Sequence, residues 1–412
     1  MLHLTTLDLN ELSVRADAWD DLWRRSGVRL PSNRANGIEL WCQTFAGENE
    51  FQALVVHDDQ RFVAALPLVK DTSVRFVTVY RLPTNCTVGA GDLLIDPKCD
   101  VDAATKLIVD HVTRLPGCLA AFEGVQIDSP RWQRMIDSFE RSGRESHQSD
   151  GHDVGIVDIL HDWDAYTRSW SRNHRSAIKR CRKKLEAQGT VEVQRLREPS
   201  DDELHQVLEA CYVIEDKGWK GDNGTSILKS PGLAEYYHQE ARIMRDGGML
   251  DLWLLKLDDQ IIAFEYCHYS KATCFSHKIS FDPAFDRFSP GRVLRCIQLE
   301  QYHQDPAAEM LDTLGVLCEA KAKWITRSYR SSRCYVAIGG PYSNWLMRGF
   351  KFARRLAKSM RRTNAVSEPI RPGAAKYLET ANASTRRDAD IAPLVMTTDE
   401  PLVPTPSQHA RS

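Results

Sequence analysis

The pattern of hydrophobic and polar positions predicts an alternating α/β chain. Apolar residues at helical spacing, such as Ile38, Trp41 and Phe45, indicate helices, and short apolar runs bounded by turn residues indicate strands. In the first half, the predicted order is helices at 11–26 and 35–46, strands at 52–56, 62–69, 74–82 and 93–96, a helix at 101–114, a strand at 120–127 and a helix at 130–142. Such an order is typical of a mixed α/β domain.

The second half repeats much of this order. The prediction is helices at 162–185, 201–216 and 231–246, strands at 250–257, 260–269 and 272–281, a helix ending near 304, a strand at 309–314, a helix at 318–329 and a strand at 333–338. Each half contains a hairpin that turns at an Asp-Asp pair, Asp58-Asp59 and Asp258-Asp259. We interpret this as a weak internal duplication, with domains at 1–150 and 151–340.

The C-terminal region differs from both halves. Residues 341–362 are predicted to form a basic amphipathic helix, with Trp345 and Phe350 on one side and Arg348 and Lys351 on the other. This helix either packs on the second domain or lies on an anionic membrane. Residues 363–412 hold six prolines and a single aromatic residue, so we expect a disordered tail.

Composition excludes several classes of protein. The 412 residues are 42% apolar and 27% charged with a net charge of −2, so no global field attracts nucleic acid. The eleven cysteines include no CxxC pair, and we expect reduced thiols and no metal. The N-terminus lacks a signal peptide pattern and no window is apolar enough to cross a membrane. We therefore expect a cytoplasmic protein that is in part peripheral at the inner membrane face.

The segment from Phe281 to Gln304 carries the first candidate chemistry. A strand is predicted to end before Asp282-Pro283, and a loop leads to a helix that starts at Ser289-Pro290-Gly291. A helix N-terminus presents free backbone N–H groups and a positive dipole end, which suits a phosphate or pyrophosphate. The candidate anion-binding residues are Arg287, Ser289, Gly291, Arg292 and Val293. The alternative is an ordinary helix cap without a ligand.

A series of short motifs carries a resemblance to a known family. In order they are Trp170 to Arg175, Gly218-Trp219-Lys220-Gly221, Ser230-Pro231, Tyr236-Tyr237, Leu257 to Ala263, Phe281-Asp282-Pro283, Ser289-Pro290-Gly291 and Asp312 to Trp324, with Ala65 to Leu68 and Gly91 to Leu94 in the first half. The chain resembles the BioF-like/CelD-type acetyltransferases of the GNAT superfamily, which are related to the FemAB peptidyltransferases. The resemblance covers most of residues 35–335. Pro290 and Ala320 depart from it, since they replace a donor-loop glycine and a frequent tyrosine.

This resemblance implies an α/β fold of two tandem GNAT-like domains, each a mixed, mostly antiparallel sheet flanked by helices. The first domain is expected to be degenerate and the second to be the acyltransferase. The implied reaction moves an acyl group from acyl-CoA or an acyl carrier protein to an amine or amino-sugar acceptor, in cell-envelope polysaccharide biosynthesis. Two alternatives stay open, namely a FemAB-like transferase that uses aminoacyl-tRNA and a non-catalytic scaffold in exopolysaccharide assembly. Residues 172–184 hold seven Arg or Lys and no acid, so RNA contact at this helix is one interpretation.

Two strand residues are candidates for proton transfer. Glu265 alternates with apolar neighbours, so it is either a general base or the partner of a Lys or Arg. Strand alternation places His277 on one face with Phe275, Ile279 and Phe281, where it is either a base or a hydrogen-bonded core histidine.

Three further residues are candidates for the substrate site. The resemblance implies that Asp312 and Lys321 belong to it, Asp312 with a catalytic role, and the alternatives are a strand-end cap and an exposed lysine. Trp219 either walls the acceptor site or belongs to the core. Because no Ser-His-Asp or Cys-His arrangement is evident, we expect direct attack of the amine on the thioester.

Overall fold

The computed structural model describes residues 1–47, 49–59, 61–72, 78–85, 88–149, 151–340 and 342–352. These residues divide into two compact units. Unit 1 contains Met1–Val28, Ala46–Gly151 and the described residues from Ser331 onward, and unit 2 contains Arg29–Phe45 and His152–Arg330. The predicted fold class, two α/β units with mostly antiparallel sheets flanked by helices, is confirmed.

The regular elements are numbered in chain order. The helices are α1 (Leu9–Val14), α2 (Ala16–Arg25), α3 (Ala35–Trp41), α4 (Val101–Val112), α5 (Pro130–Arg141), α6 (Trp163–Ser169), α7 (Arg172–Glu186), α8 (Asp201–Asp216), α9 (Trp219–Asp222), α10 (Leu233–Asp246), α11 (Pro290–Gln304) and α12 (Glu319–Ala322). The strands are β1 (His3–Leu7), β2 (Glu50–His57), β3 (Phe62–Asp71), β4 (Val79–Arg81), β5 (Leu94–Ile95), β6 (Leu119–Gln126), β7 (Ser146–Gln148), β8 (His152–Asp158), β9 (Val191–Leu196), β10 (Leu250–Leu257), β11 (Gln260–Ser270), β12 (Thr273–Phe281), β13 (Met310–Asp312) and β14 (Arg327–Ala337).

In unit 1 the strands follow the order β1-β2-β3-β4-β6-β14. All of these neighbours are antiparallel except β4 and β6. The large apolar side chains of α4 and α5, including Ile108, Trp132 and Phe139, are buried against the sheet. Buried side chains on one stripe of each helix are what amphipathic periodicity predicts.

In unit 2 the strand order is β8-β13-β12-β11-β10-β9. The β12–β13 pair is parallel, and the other neighbours are antiparallel. Residues of α6, α7 and α11, such as Tyr166, Ile178 and Leu294, form one core cluster with Ala263 and Cys267 of β11. Since side chains alternate along a strand, Tyr266 points to the opposite face, which α8 and α10 cover.

Two predicted helices of the second half, and those at 11–26 and 35–46 in the first, were wrong in their extent. The predicted helix at 162–185 is interrupted at Trp170, whose carbonyl, with those of Thr167 and Arg168, accepts hydrogen bonds from the guanidinium of Arg175. The predicted helix at 318–329 ends at Ala322, and β14 already begins at Arg327. Tertiary hydrogen bonds from Thr326 to β8 outweigh the local helical pattern there.

The residues after 340 are described only to 352. Residues 342–352 are helical, and Met347 packs in a cluster with Val79 and Tyr335 of unit 1. Arg348 and Lys351 form ion pairs with Glu145 at 2.9 and 2.6 Å. Residues 342–352 therefore pack within unit 1, on residues of both predicted domains: Val79 and Glu145 belong to 1–150, and Tyr335 belongs to 151–340. The rest of the predicted helix and the predicted tail at 363–412 lie outside the described residues.

No helix in the described part of the chain has the length and apolarity needed to cross a membrane.

Candidate active site

A split between two parallel strands of unit 2 defines the candidate site. The Cα partners of β12 and β13 run only from Thr273–Met310 to Phe275–Asp312. Beyond this point β12 continues to Phe281, whereas the other strand turns away through Leu314 and Gly315, which have φ values of 39° and 59°. The described strand pairs of β12 with β13 thus end at Phe275, so the sheet opens at the carboxyl ends of both strands.

A β-bulge in β12 changes which face each side chain occupies. Tyr266 is paired with Lys278 and Cys267 with Ser276, so His277 is the extra residue. Because a bulge shifts the alternation, Phe275 and Ile279 point to opposite faces of the sheet. The predicted common face for His277, Phe275, Ile279 and Phe281 was wrong for this reason.

Glu265 lies on the α11 face in a buried ion pair with Arg295. The Arg295 Nη2 to Glu265 Oε1 distance is 2.7 Å, Nε donates to Oε2 at 3.0 Å, and Nη2 also donates to Ser276 Oγ at 3.0 Å. Glu265 is 0% exposed and Arg295 is 7% exposed. The structure thus places Glu265 in the alternative arrangement, as the partner of an arginine.

His277 lies on the other face, beside a second buried histidine. Its ring centroid is 4.0 Å from that of His268. The Nε2 atom of His268 lies 3.2 Å from the Tyr266 hydroxyl and 3.5 Å from a Glu240 carboxylate oxygen. Burial, with the charges of His268 and Lys278, holds the pKa of His277 well below its ordinary range. Its Nε2 is buried and has no hydrogen-bond partner among the described residues. A neutral imidazole of this kind can accept a proton, but it is on the opposite face from Glu265.

Asp312 is a buried carboxyl group at the point where the strands part. Its oxygens accept hydrogen bonds from the Leu314 N–H at 2.9 Å and the Tyr329 hydroxyl at 3.0 Å. Burial raises the pKa of Asp312 to about 6, although these hydrogen bonds and the charges of Lys321 and Arg327 act in the opposite direction. A carboxyl group with this pKa can exchange a proton near neutral pH.

Lys321 folds back over the same turn. Its ammonium donates to the carbonyl oxygens of Thr313, at 3.0 Å, and Leu314. Burial and the charge of Arg295 lower the pKa of Lys321, while the charges of Asp312 and Glu265 act to raise it. The split therefore brings Lys321 within electrostatic range of both carboxylates.

The N-terminus of α11 lies at the open end of the split. A Cβ built on Gly291 would contact the Phe281 ring at 3.6 Å, so the first turn of the helix lies beside the end of β12. The N–H groups of Arg292 and Val293 donate to the Ser289 carbonyl at 3.0 and 3.3 Å. Of the three candidate backbone donors, the Gly291 N–H is therefore the one that does not bind this carbonyl. Ser289 has φ 49° and its side chain caps no helix N–H. Val293 is buried in the core, so its side chain is not available to a ligand.

Positive charge surrounds this helix terminus. Arg287 is exposed, with its guanidinium carbon 4.6 Å from the Phe288 ring centroid. Burial together with the positive charges of Arg292 and Lys323 lowers the pKa of His174, on α7, to about 4. These cations complement the helix dipole for an anionic group.

Trp219 follows a loop at Lys217-Gly218 and is the first residue of the short helix α9, near the C-terminal end of β12. The residue is 62% exposed, so it is available to a ligand and does not belong to the core. The preceding Gly218 lies against Ser280, since a Cβ there would be 4.0 Å from its hydroxyl. Lys217 pairs with Asp282 at 2.7 Å, and buried Glu215 binds Lys220 and accepts the Ile227 N–H at 2.9 Å. The loop is thus fixed against the strand end that leads to the anion site.

Sequence reasoning missed Arg295, Ser276 and Tyr329. Arg295 shares the buried stripe of α11 with Leu299 and Tyr302, and a basic residue at that spacing predicts a buried acidic partner. Tyr329 gave no such signal, because its segment was predicted as helix.

Comparison with known proteins supports the assignment of the fold. Residues 172–319 match the profile of the acetyltransferase (GNAT) domain. This match marks an acyltransferase domain of the GNAT type within unit 2, and it contains the split, the start of α11 and Asp312. No curated protein sequence matches the chain.

Two solved structures share the fold over most of the chain. FemX aligns with a TM-score of 0.52 at 11% identity, over 82% of this chain and 97% of that chain. The C-terminal DUF2156 domain assigned to a lysylphosphatidylglycerol synthetase of Agrobacterium fabrum aligns with a TM-score of 0.50 at 12% identity, over 82% and 96%. At these identities the likeness concerns the fold.

Proposed function

We propose that the protein is an N-acyltransferase that moves an acyl group from a thioester, acyl-CoA or an acyl carrier protein, to an amine. The observation that carries the proposal is the split between β12 and β13, which opens beside the N-terminus of α11 and has Asp312 at its closed end. A chain-like donor with an anionic group at one end and a thioester at the other fits this arrangement.

The donor is held in two places. Its pyrophosphate binds the Gly291 N–H, the Ser289 hydroxyl and the side chains of Arg287 and Arg292, where the helix dipole and the local cations favour negative charge. Its amide-containing arm extends along the free edge of β12 and pairs with backbone groups there, as an added strand would.

The chemistry requires one proton acceptor and one proton donor. The neutral amine attacks the thioester carbonyl carbon, and Asp312, as the carboxylate, takes the one proton that the nitrogen loses. The C–N bond forms, the C–S bond breaks, and the leaving thiolate takes a proton from the Lys321 ammonium or the newly protonated Asp312. Backbone N–H groups of β12 beyond Phe275 stabilise the developing oxyanion. Glu265 supports this site as the counter-ion that fixes Arg295, and His277 is the alternative base.

The acceptor enters past Trp219. The exposed indole is the kind of flat apolar surface on which a sugar ring or an aliphatic amine packs. With the BioF-like/CelD-type resemblance, this favours an amino-sugar acceptor in cell-envelope polysaccharide synthesis, in a protein that is cytoplasmic and in part peripheral at the membrane.

One observation favours a second candidate, an aminoacyl-tRNA-dependent transferase. α7 packs on α11 through His174 and Ile178, and it exposes Arg172, Lys179, Arg180, Arg182, Lys183 and Lys184. A row of exposed cations beside the donor helix suits a polyanionic donor such as tRNA. FemX shares the fold of this chain.

The test is a donor panel on the purified protein. Acetyl-CoA, longer acyl-CoA species, acyl carrier protein thioesters and aminoacyl-tRNA are each titrated, and thiol release is followed with an amine mixture. Binding and turnover of a thioester, with turnover lost in Asp312→Asn, supports the proposal. Binding of aminoacyl-tRNA alone supports the second candidate. A protein that turns over none of these donors is the scaffold of the third alternative.

A further inference from the structure

Two histidines and a glutamate meet on the outer side of the α8–α10 pair. His205 and Glu209 are four residues apart on α8, so both lie on one face of the helix, and His238 faces them from α10. One ligand atom from each residue lies within 4.8 Å of the other two. His238 Nε2 is 2.8 Å from Glu209 Oε1, and the ring centroids of His205 and His238 are 4.6 Å apart.

We propose that these three residues form a binding site for a divalent transition metal, most suitably Zn²⁺. Two imidazole nitrogens and one carboxylate oxygen are a donor set that Zn²⁺ prefers, and a water completes four-coordination. The sequence predicts no metal site because His238 is 29 residues from Glu209 and no short motif links them.

The arrangement needs little movement to bind the ion. Metal–ligand distances of about 2.0–2.2 Å place neighbouring tetrahedral ligand atoms about 3.4 Å apart. Since the three ligand atoms lie within 4.8 Å of one another, each separation needs to change by at most about 1.4 Å. His238 is 7% exposed and fixed between the helices, with the Tyr212 ring edge-on to it at 5.3 Å. His205 is exposed and the side chain of Glu209 is 47% exposed, so the ion reaches both from solvent.

The ion would join α8 to α10 and take no part in acyl transfer. Among the contacts of the described residues, none links these three side chains to Glu265, Asp312 or Lys321. α8 ends at Asp216, three residues before Trp219. A metal bridge between α8 and α10 would therefore restrict the motion of the helix that precedes the proposed acceptor-binding tryptophan. The inference stands apart from the proposed function, since metal binding does not require turnover.

The test measures metal binding on the full chain after chelator treatment and in a non-thiol reductant. Zn²⁺ is titrated in competition with a chromophoric chelator, and Co²⁺ is titrated with absorption spectra. The variants are His205→Asn, Glu209→Gln and His238→Asn, and the control is His161→Asn, an exposed histidine of unit 2 outside the cluster.

The expected result is one equivalent of metal in wild type and in His161→Asn, with Co²⁺ bands that lack thiolate charge transfer. Each variant of the cluster should lower the affinity for Zn²⁺ by about 10–100-fold or more. Removal of a residue that only hydrogen-bonds to a metal ligand already causes a loss of this size. Thermal melting with Zn²⁺ should show a rise in wild type that the variants lose. Absence of binding, equal binding in the variants, or Co²⁺ spectra with thiolate bands would each overturn the proposal, because His205, Glu209 and His238 would then be an ion pair with a stacked ring.

Discussion

Phe275 and Asp312 are the last paired residues of β12 and β13, and the strands part directly after them. The carboxyl group of Asp312 is 6% exposed and is held by the Leu314 N–H and the Tyr329 hydroxyl. Because β12 and β13 part at Asp312, the backbone edge of β12 and a carboxyl group that can accept a proton lie side by side. The account of catalysis depends on this relationship.

Replacement of Asp312 by Asn should abolish most activity while the fold is retained. Loss of a general base lowers kcat by about 10²–10⁴-fold. Because the pKa of Asp312 is raised to about 6, the wild-type rate should rise with pH through that value, and the variant should lose this limb. A pH–rate profile of both proteins is the measurement. If the rate of the variant still rises with pH near 6, another group is the general base, and His277→Gln is the next variant to measure.

The same variant should be more stable than wild type at neutral pH. A pKa raised above the unfolded value of 3.8 gives stability that is fully present below pH 3.8 and is lost as the pH rises through about 6. Asn does not ionise, so near pH 7 it should exceed wild type by on the order of 1–3 kcal/mol in free energy of unfolding. The advantage should vanish below about pH 4. Urea unfolding at pH 4 and pH 7 checks this, and a variant that is less stable at pH 7 contradicts it.

The Glu265–Arg295 pair should behave as a structural unit. Glu265→Leu or Arg295→Met alone leaves an uncompensated buried charge and should cost about 3–5 kcal/mol of unfolding free energy. The double variant Glu265→Leu with Arg295→Met should cost less than either single change, since no charge remains. Chemical denaturation of the wild type and the three variants gives the coupling energy. Additive losses would show that the two charges do not depend on each other.

Two substitutions of Ser289 distinguish the effect of its backbone strain on stability from the effect of its hydroxyl on donor binding. Its φ of 49° is unfavourable for a residue with a Cβ, so Ser289→Gly should stabilise the protein by up to about 1 kcal/mol, and Ser289→Ala should not. If the hydroxyl binds the donor phosphate, both variants should raise the KM for acetyl-CoA equally. Melting temperature and steady-state kinetics measure the two effects. An unchanged KM in both variants would remove Ser289 from the donor site.

The exposed aromatic residues of 342–352 should mediate weak membrane contact. Tyr342, Trp345 and Phe352 are each at least 64% exposed, while Met347 on the other side is buried. Co-sedimentation with anionic vesicles at low salt should decrease in Trp345→Ala and with added salt. Trp219→Ala, an exposed tryptophan of unit 2, is the control. Equal co-sedimentation of the three proteins would leave this helix with a packing role alone.

Much of the fold follows from local sequence patterns. The hairpin of β10 and β11 turns at Asp258 and Asp259, both with positive φ, which is what an Asp-Asp pair between two apolar runs predicts. The start of α11 follows in the same way from Ser289, Pro290 and Gly291. These features are local, so a single sequence contains the information for them.

The details of the site depend on contacts between distant segments. The bulge at His277 adds one residue to β12 and reverses the faces of the side chains that follow it. The alternation of apolar and polar residues does not reveal the position of such a bulge. The split depends on where β13 leaves β12, and Tyr329 reaches Asp312 only because β14 begins earlier than its local pattern indicates. Tertiary pairing decides both, so the sequence predicts the residue types of the site but not which faces they share.

The most direct test of the central claim, that a thioester donor binds at the start of α11, is calorimetric titration of acetyl-CoA into wild type, Gly291→Ala and Gly291→Val. A Cβ at Gly291 meets only the Phe281 ring at ordinary contact distance, so both variants should fold, and Gly349→Val is a control at a helical glycine with open space around it. The account predicts binding to wild type and the control, with affinity that falls at least about tenfold, or 1.4 kcal/mol, in Gly291→Val and less in Gly291→Ala. Equal affinity in wild type and Gly291→Val, with both proteins folded by circular dichroism, would contradict the claim.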